Sequence, residues 1–299
     1  MDRLESMRVF VAVAETGGFA AAARRLAMSP AAVTRAVAAL EARIGARLLT
    51  RTTRVVRLTE AGTRFLADCR RILSEVEEAE RSAAGSHAEP RGHIAITAPY
   101  MFGRMYVAPV VLDFLAAHPH VTARTLFADR IVDLLEEGMD VAVRIAHLPD
   151  STLTAIRVGS VRRVVCASPE FLAQHGTPRA PADLSRFPTI AFSQDATRVR
   201  WTFGRGRKVQ TVTFEPLLTV NTSDVAIAAA VAGRGLTRVL SYMIGPEVRA
   251  GRLKIVLSEF EPPPLPVSVV HPEGRRAAAK VRAFVDFAVG RLRAARWLC

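Results

Sequence analysis

Thr34 and Arg35 stand side by side in an alanine-rich stretch, and residues of these types can do hydrogen-bond chemistry at the edge of a base pair. A guanidinium presents a planar fork of N–H donors that matches the O6 and N7 of guanine, and a threonine hydroxyl both donates and accepts. Val33, Val37, Leu40 and Ile44 follow at intervals of four, three and four, the inward stripe of a helix. Projected at ~100° per residue, the opposite side carries Ala31, Arg35, Ala38 and Ala42, with Ala32 and Thr34 beside them. A face of small residues with one arginine can come close to the floor of a major groove. Ser29 before Pro30 is the expected start of this helix, because the hydroxyl can take free N–H groups and Pro at the first position forfeits no hydrogen bond.

Other elements must position that helix. A first amphipathic helix (Leu4, Met7, Phe10, Val11, Ala14) stops at Gly17-Gly18, and a short one runs over residues 19–26. After the third helix, residues 48–51 and 55–58 read as two short β arms around a basic tip of Thr52, Thr53 and Arg54. Arg51 and Arg54 are placed there to lie against phosphates. Together these make a winged helix-turn-helix over residues 1–58. Ten arginines against four carboxylates give that region a charge of +6. Charge alone is weak support, since the whole chain is +13 and only three of its 41 basic residues are lysine, a bias that can come from genome composition. Spacing and the wing carry the DNA reading, against the plainer alternative of three helices used for protein contact.

Residues 59–90 form a second kind of segment. Thr59 suits an N-cap, Glu60 suits the positive end of a helix, and Gly62 weakens the first turn. Phe65, Cys69, Ile72, Val76, Ala79 and Ala83 then alternate at four and three, a heptad seam flanked by charged residues. Such a helix pairs with a second copy; the alternative is a helix packed on its own domain, with Leu66 and Leu73 widening the stripe. Residues 85–90 read as a hinge.

From residue 91 onward strands alternate with helices. Strands at 94–98, 121–127 and 141–145 are separated by helices to 117 and at 131–137. A second round has strands at 161–167, 189–192 and 217–220, with helices at 169–175 and from 221 to 233. After Pro262-Pro263-Pro264, a strand at 267–271 and a helix at 277–292 close the chain. The order predicts a mainly parallel α/β domain of two lobes, one about 91–163 with 268–299, the other about 164–267. A ligand would sit between them, beyond the carboxyl ends of the strands, where helix N-termini offer N–H groups to an anion. Thr97, Ala98, Pro99 and Tyr100 form one such end; Asn221, Thr222 and Ser223 form the other. Arg144, Phe192 and Ser193 are weaker additions. Ordinary caps, an internal ion pair and plain core explain the same residues, and Trp201 and Phe203 read as decoration of a hairpin.

Other classes fare worse. No nucleophile elbow, phosphate loop, dinucleotide fingerprint or His/Cys/Asp metal set is present, so no enzyme and no cofactor is expected. Cys69, Cys166 and Cys299 are far apart and odd in number, which suggests no disulfide framework. Without a signal peptide or an apolar run approaching the ~20 residues of a membrane span, a cytoplasmic protein with no membrane partner is expected. A transport-type binding protein would explain only the second part of the chain. An architectural DNA-binding protein whose second domain senses nothing is the remaining alternative.

The run FVAVAETGGFAAAARRLAMSPAAVTRAVAALEARIGARLLTRTTRVVRLTEAG resembles the DNA-binding half of a LysR-type transcriptional regulator. DLLEEGMDVAVRIAHLPDSTL, VCASPEFLAQHGTPRAPADL and GLTRVLSYMI resemble the effector domain of that family. The resemblance covers essentially the entire chain. It implies a homodimer or homotetramer on a promoter dyad of double-stranded DNA, paired linker helices and an effector domain resembling periplasmic binding proteins. It also implies a small effector near the two helix ends and contact with RNA polymerase. Thr34 stands where the family usually has Ser, and Ala31 and Ala32 replace more polar residues, departures that bear on the target sequence.

Overall fold

The computed structural model describes residues 2–51, 56–83, 89–149, 152–193, 198–204, 206–272 and 277–295. Helices α1 (Arg3–Thr16), α2 (Phe19–Arg25) and α3 (Pro30–Ile44) close around Phe10, Val13, Val33, Val37 and Leu40, none more than 2% exposed. Gly17 and Gly45 end α1 and α3 in left-handed backbone, at φ 70° and 73°. Ala36 joins the inward face of α3. Ile44 does not; it is 39% exposed, because the helix stops one residue later and leaves it nothing to pack on.

Strands β1 (Leu49–Arg51) and β2 (Val56–Leu58) pair antiparallel and form the base of the wing. The tip lies outside the described residues. The Glu41 carboxylate of α3 accepts from the Leu48 and Leu49 amides at 2.8 and 3.0 Å, so α3 and the wing are fixed to each other.

Helix α4 (Glu60–Ala83) starts where the Thr59 hydroxyl donates to the Arg47 carbonyl and accepts from the Gly62 amide. It then lies along α1. Phe65 meets the Phe10 ring at 5.7 Å, Cys69 is fully buried and Leu73 is 8% exposed. Phe65, Leu66 and Ile72 pack against the same core, and Val76 lies beyond it. Cys69 is thus spent inside the domain, while Phe65 and Ile72 pack on it with one side and stay partly exposed on the other. Burial pushes the Cys69 thiol up to about 12, with a smaller push from Asp68, so it stays protonated at neutral pH.

Glu15 on α1 ties the bundle together, accepting from Arg25 at 2.7 Å and from Arg70 on α4 at 2.9 Å. Burial alone would raise its pKa, but the hydrogen bonds and charges of Arg25 and Arg70 win and hold it below the ordinary carboxylate value. A carboxyl depressed in the folded state adds stability above its unfolded pKa, and that stability is lost as pH falls through the folded value. The domain should lose stability on acidification below about pH 4.5, and Glu15→Gln should flatten that loss in melting curves. An unchanged acid profile would remove Glu15 from this role.

The first lobe has strands β3 (Gly92–Ala98), β4 (Val121–Phe127), β5 (Val141–Ile145) and β6 (Thr154–Val161). The second has β7 (Arg163–Ala167), β8 (Thr189–Phe192), β9 (Val199–Phe203), β10 (Gln210–Phe214), β11 (Leu218–Val220), β12 (Leu236–Leu240) and β13 (Lys254–Val256). The chain then returns to the first lobe as β14 (Leu265–His271). Sheet order is β4-β3-β5-β14-β6 in one lobe and β11-β8-β12-β7-β13 in the other, with β9 and β10 as a separate hairpin. Both sheets are mixed rather than mainly parallel: the strands that return from the other lobe, β14 and β7, enter antiparallel to their neighbours. The lobes meet at Arg162 and before Leu265, so Arg163 belongs to the second sheet and Leu265 to Val267 belong to the first. The two crossings are tied by Arg162 and Glu261 at 3.0 Å.

Two segments depart from their sequence reading. Residues 131–137 are not a helix: the Asp133 carboxylate accepts from the Leu135 and Glu136 amides, closing turns instead, and Gly138 leaves at φ 61°. Helix α5 (Tyr100–Ala117) does reach the length and apolar composition of a membrane span. Its apolar side is the core of the first lobe, where Phe102 and Phe114 are fully buried.

Candidate nucleic-acid interface and interlobe cleft

Helix α3 presents the surface its spacing implies. Ala31, Arg35, Ala38 and Ala42 are exposed, with Ala32 and Thr34 half-exposed at the margin. Ser29 accepts from the Ala32 amide at 3.2 Å and fixes the first turn. The Thr34 hydroxyl donates to the Pro30 carbonyl at 2.9 Å, so its proton is spent inside the helix and only its acceptor side is open. Arg35 has no ion-pair or hydrogen-bond partner among the described residues. Thr52, Thr53 and Arg54 lie outside the described residues, and Arg51 is placed there only by its backbone, in β1.

A cleft of about 910 Å³ opens between the lobes. Arg130, Arg144, Arg163, Arg198, Arg200 and Arg238 line it, with Asp129 as the one carboxylate among the described lining residues. Glu137 takes Arg130 through two bonds of 2.6 Å, and Glu215 takes Arg198 at 3.1 Å. Arg144 is held by the Val132 carbonyl and Arg238 by the Thr202 carbonyl at 3.2 Å. None of Arg144, Arg163 and Arg238 forms an ion pair among the described residues, although Arg144, lowered by burial, also feels the opposing charges of Glu137 and Asp133.

Arg163 and Arg238 sit on one face of the second sheet. Arg238 is opposite Val165 and Arg163 opposite Leu240, which makes them diagonal neighbours. The Arg238 guanidinium lies 5.0 Å from the Trp201 ring centre and 5.7 Å from that of Phe203. Burial, and then the charge of Arg163, push Arg238 down to about 9. Burial also lowers Arg163. Both remain cations at neutral pH, kept together at a cost that an anion would relieve.

Residues 4–63 match the family described as bacterial regulatory helix-turn-helix protein, lysR family, and residues 87–293 match the LysR substrate binding domain. The chain belongs to the LysR-type transcriptional regulators. An HTH-type transcriptional regulator of Xanthomonas campestris pv. campestris is 36% identical over 293 residues, covering 97% of this chain and 85% of that protein. The HTH-type transcriptional regulator DmlR of Escherichia coli is 33% identical, covering 95% and 92%. Among solved structures, CrgA of Neisseria meningitidis aligns over 96% of this chain and 98% of its own, with a TM-score of 0.61 at 29% identity. AphB, a virulence activator of Vibrio cholerae, aligns over 97% and 99%, with a TM-score of 0.60 at 25% identity.

In this LysR-type regulator the cleft includes Pro99, Arg144, Phe192 and Ser193. The other sequence candidates are placed elsewhere. Thr97 and Ala98 are fully buried, and the Thr97 hydroxyl donates to the Leu126 carbonyl at 2.7 Å. The helix end at Tyr100 is already occupied: the Tyr100 amide donates to Asp129 at 3.0 Å, so the chain supplies its own anion there. Asn221, Thr222 and Ser223 do not line the cleft. Ser223 is buried against Met101, with its hydroxyl 3.2 Å from the sulfur, and Thr222 bonds to Asp224. The charged groups that line the cleft are therefore arginines, several of them on strands, and not the helix ends at Tyr100 and Asn221. Trp201 lines the cleft and supports Arg238 rather than merely decorating the hairpin. Burial pushes Cys166 up to about 12, which leaves it an inert core thiol.

Proposed function

We propose that this LysR-type regulator is a promoter switch set by a small organic anion bound between the lobes of its effector domain. Arg163 and Arg238, neighbours in the cleft with no carboxylate beside them among the described residues, carry this reading, because half-buried cations without a counter-charge favour a negatively charged occupant. Arg35, Thr34, Ser29 and the alanines of α3 read base edges, while Arg51, Thr52, Thr53 and Arg54 bind phosphates. A homodimer or homotetramer reads two half-sites of a dyad at once, which raises affinity beyond that of a single helix.

Pairing runs along α4 from Val76 onward, past the part that packs on its own domain. Val76→Glu is expected to shift the protein toward monomers in sedimentation, and an unchanged dimer would remove this part of α4 from the interface. Anion-driven closure of the lobes then changes the setting of the paired DNA-binding domains, and with it DNA bending and contact with RNA polymerase. Such a switch works in the cytoplasm.

The test is a thermal-shift series of organic acids against their neutral amides. Acids are expected to raise the melting temperature and amides to leave it alone; amides that stabilise as well as acids would sink the anion reading.

A further inference from the structure

We propose that the cleft selects a short dicarboxylate, one carboxylate against Arg163 and Arg238 on the second lobe and the other against Arg144 on the first, with Tyr242 as an added hydroxyl donor. This rests on the effector reading above and narrows it to a ligand class. Subtracting Arg130 and Arg198, which have carboxylate partners, still leaves Arg144, Arg163, Arg200 and Arg238 lining one cleft. A single carboxylate can answer one guanidinium pair and leaves the opposite wall charged.

The two walls are distinct. Arg144 stands on β5, opposite Ser268 of β14, and is fastened to the Val132 carbonyl. Arg238 stands on β12 and is fastened to the Thr202 carbonyl and the Trp201 ring. Each guanidinium is therefore held on its own lobe, and both lobes contribute arginines to the one opening. A molecule with a negative group at each end neutralises both walls and draws them together, which couples its binding to closure.

Tyr242 adds an independent observation. It lines the same cleft and is 2% exposed, and its buried hydroxyl has only a poorly aligned backbone contact at Phe102. A buried hydroxyl so weakly paired is costly, and a ligand oxygen that reaches it as the lobes close would relieve it. Its ring comes from the second lobe, yet it meets Phe102 at 5.1 Å and Tyr106 at 5.9 Å on α5 of the first. Burial, with smaller pushes from Asp129 and Tyr106, outweighs an opposing effect of the Phe102 backbone and raises this phenol well above its ordinary range, so it remains a neutral donor.

Calorimetry on the full-length protein, with malonate, succinate, glutarate and adipate against acetate, butyrate and inorganic phosphate, tests the assignment. One dicarboxylate length is expected to bind at least about tenfold more tightly than any monocarboxylate. Arg144→Gln should bring that ligand down to the monocarboxylate level, Arg238→Gln should weaken both classes, and Tyr242→Phe should weaken the dicarboxylate while keeping the ring contacts. An unchanged melting transition of the effector domain without ligand shows that each variant is folded. Monocarboxylates or phosphate binding as tightly, equal losses for both classes in Arg144→Gln, or no binding by any dicarboxylate would overturn the proposal. If other organic acids still bind in that last case, the bridging fails and the anion reading survives; if none binds, both fail.

Discussion

Arg35→Ala is expected to leave a protein that still binds DNA but no longer prefers its own site. Arg35 is exposed at the centre of a small-residue face, and no carboxylate among the described residues competes for it. A bidentate contact from such a residue to a base edge is worth about 1–3 kcal/mol of discrimination. That range corresponds to a drop of about 5- to 150-fold in the ratio of specific to non-specific affinity. Arg51→Ala supplies the contrast: if its guanidinium binds phosphate, as proposed, its removal should weaken binding to all sequences alike and flatten the dependence on salt. Competition binding at several salt concentrations separates the two. An unchanged ratio in Arg35→Ala would show that Arg35 does not touch a base edge.

Gly62→Ala should destabilise the DNA-binding domain, although helix propensity predicts the reverse. An exposed helical glycine replaced by alanine commonly gains about 0.5–1 kcal/mol. Here an added Cβ would stand 1.9 Å from the Leu48 carbonyl oxygen. The obstacle is backbone, so no side-chain rotation relieves it, and α4 must move away from β1. Overpacking of this kind costs about 1–3 kcal/mol, enough to outweigh the propensity gain at most of that range. The displacement would pass to the wing, because Leu48 is also held by Glu41 of α3. Melting of the domain reads the sign directly; a raised melting temperature would mean that α4 does not press on Leu48.

The DNA-reading half was legible because its signals are local. Ser29-Pro30, the four-three-four stripe and the terminal glycines each act within a few residues, and the folded chain uses them as caps, core face and stops. Family resemblance and the two-lobed α/β plan were legible for the same reason, since the motifs are contiguous. Gly62 misled: as a helix residue it looked like a weakness, and only the crossing of Leu48 explains it.

The cleft was less legible because its residues come from distant strands. Arg144 was found as a residue leaving a strand, whereas Arg163 and Arg238 become neighbours only when β12 pairs with β7. In a chain where arginine supplies nearly all of 41 basic residues, neither stood out by type. The amide at the first helix end is taken by Asp129, which lies 29 positions from it and could not be read as its partner from the sequence. The pattern on α4 is ambiguous for a related reason: a heptad stripe fits a partner helix or a groove in its own domain, and α1 takes up Cys69 and one side of Phe65.

The anion-set switch is tested most directly by a footprint of the full-length protein on the DNA upstream of its own gene, with and without a panel of organic acids. A protected dyad is expected whose extent changes with at least one acid in the wild type and stays fixed in Arg238→Gln. Protection that no acid alters, or that responds equally in Arg238→Gln, would contradict a switch working through this cleft.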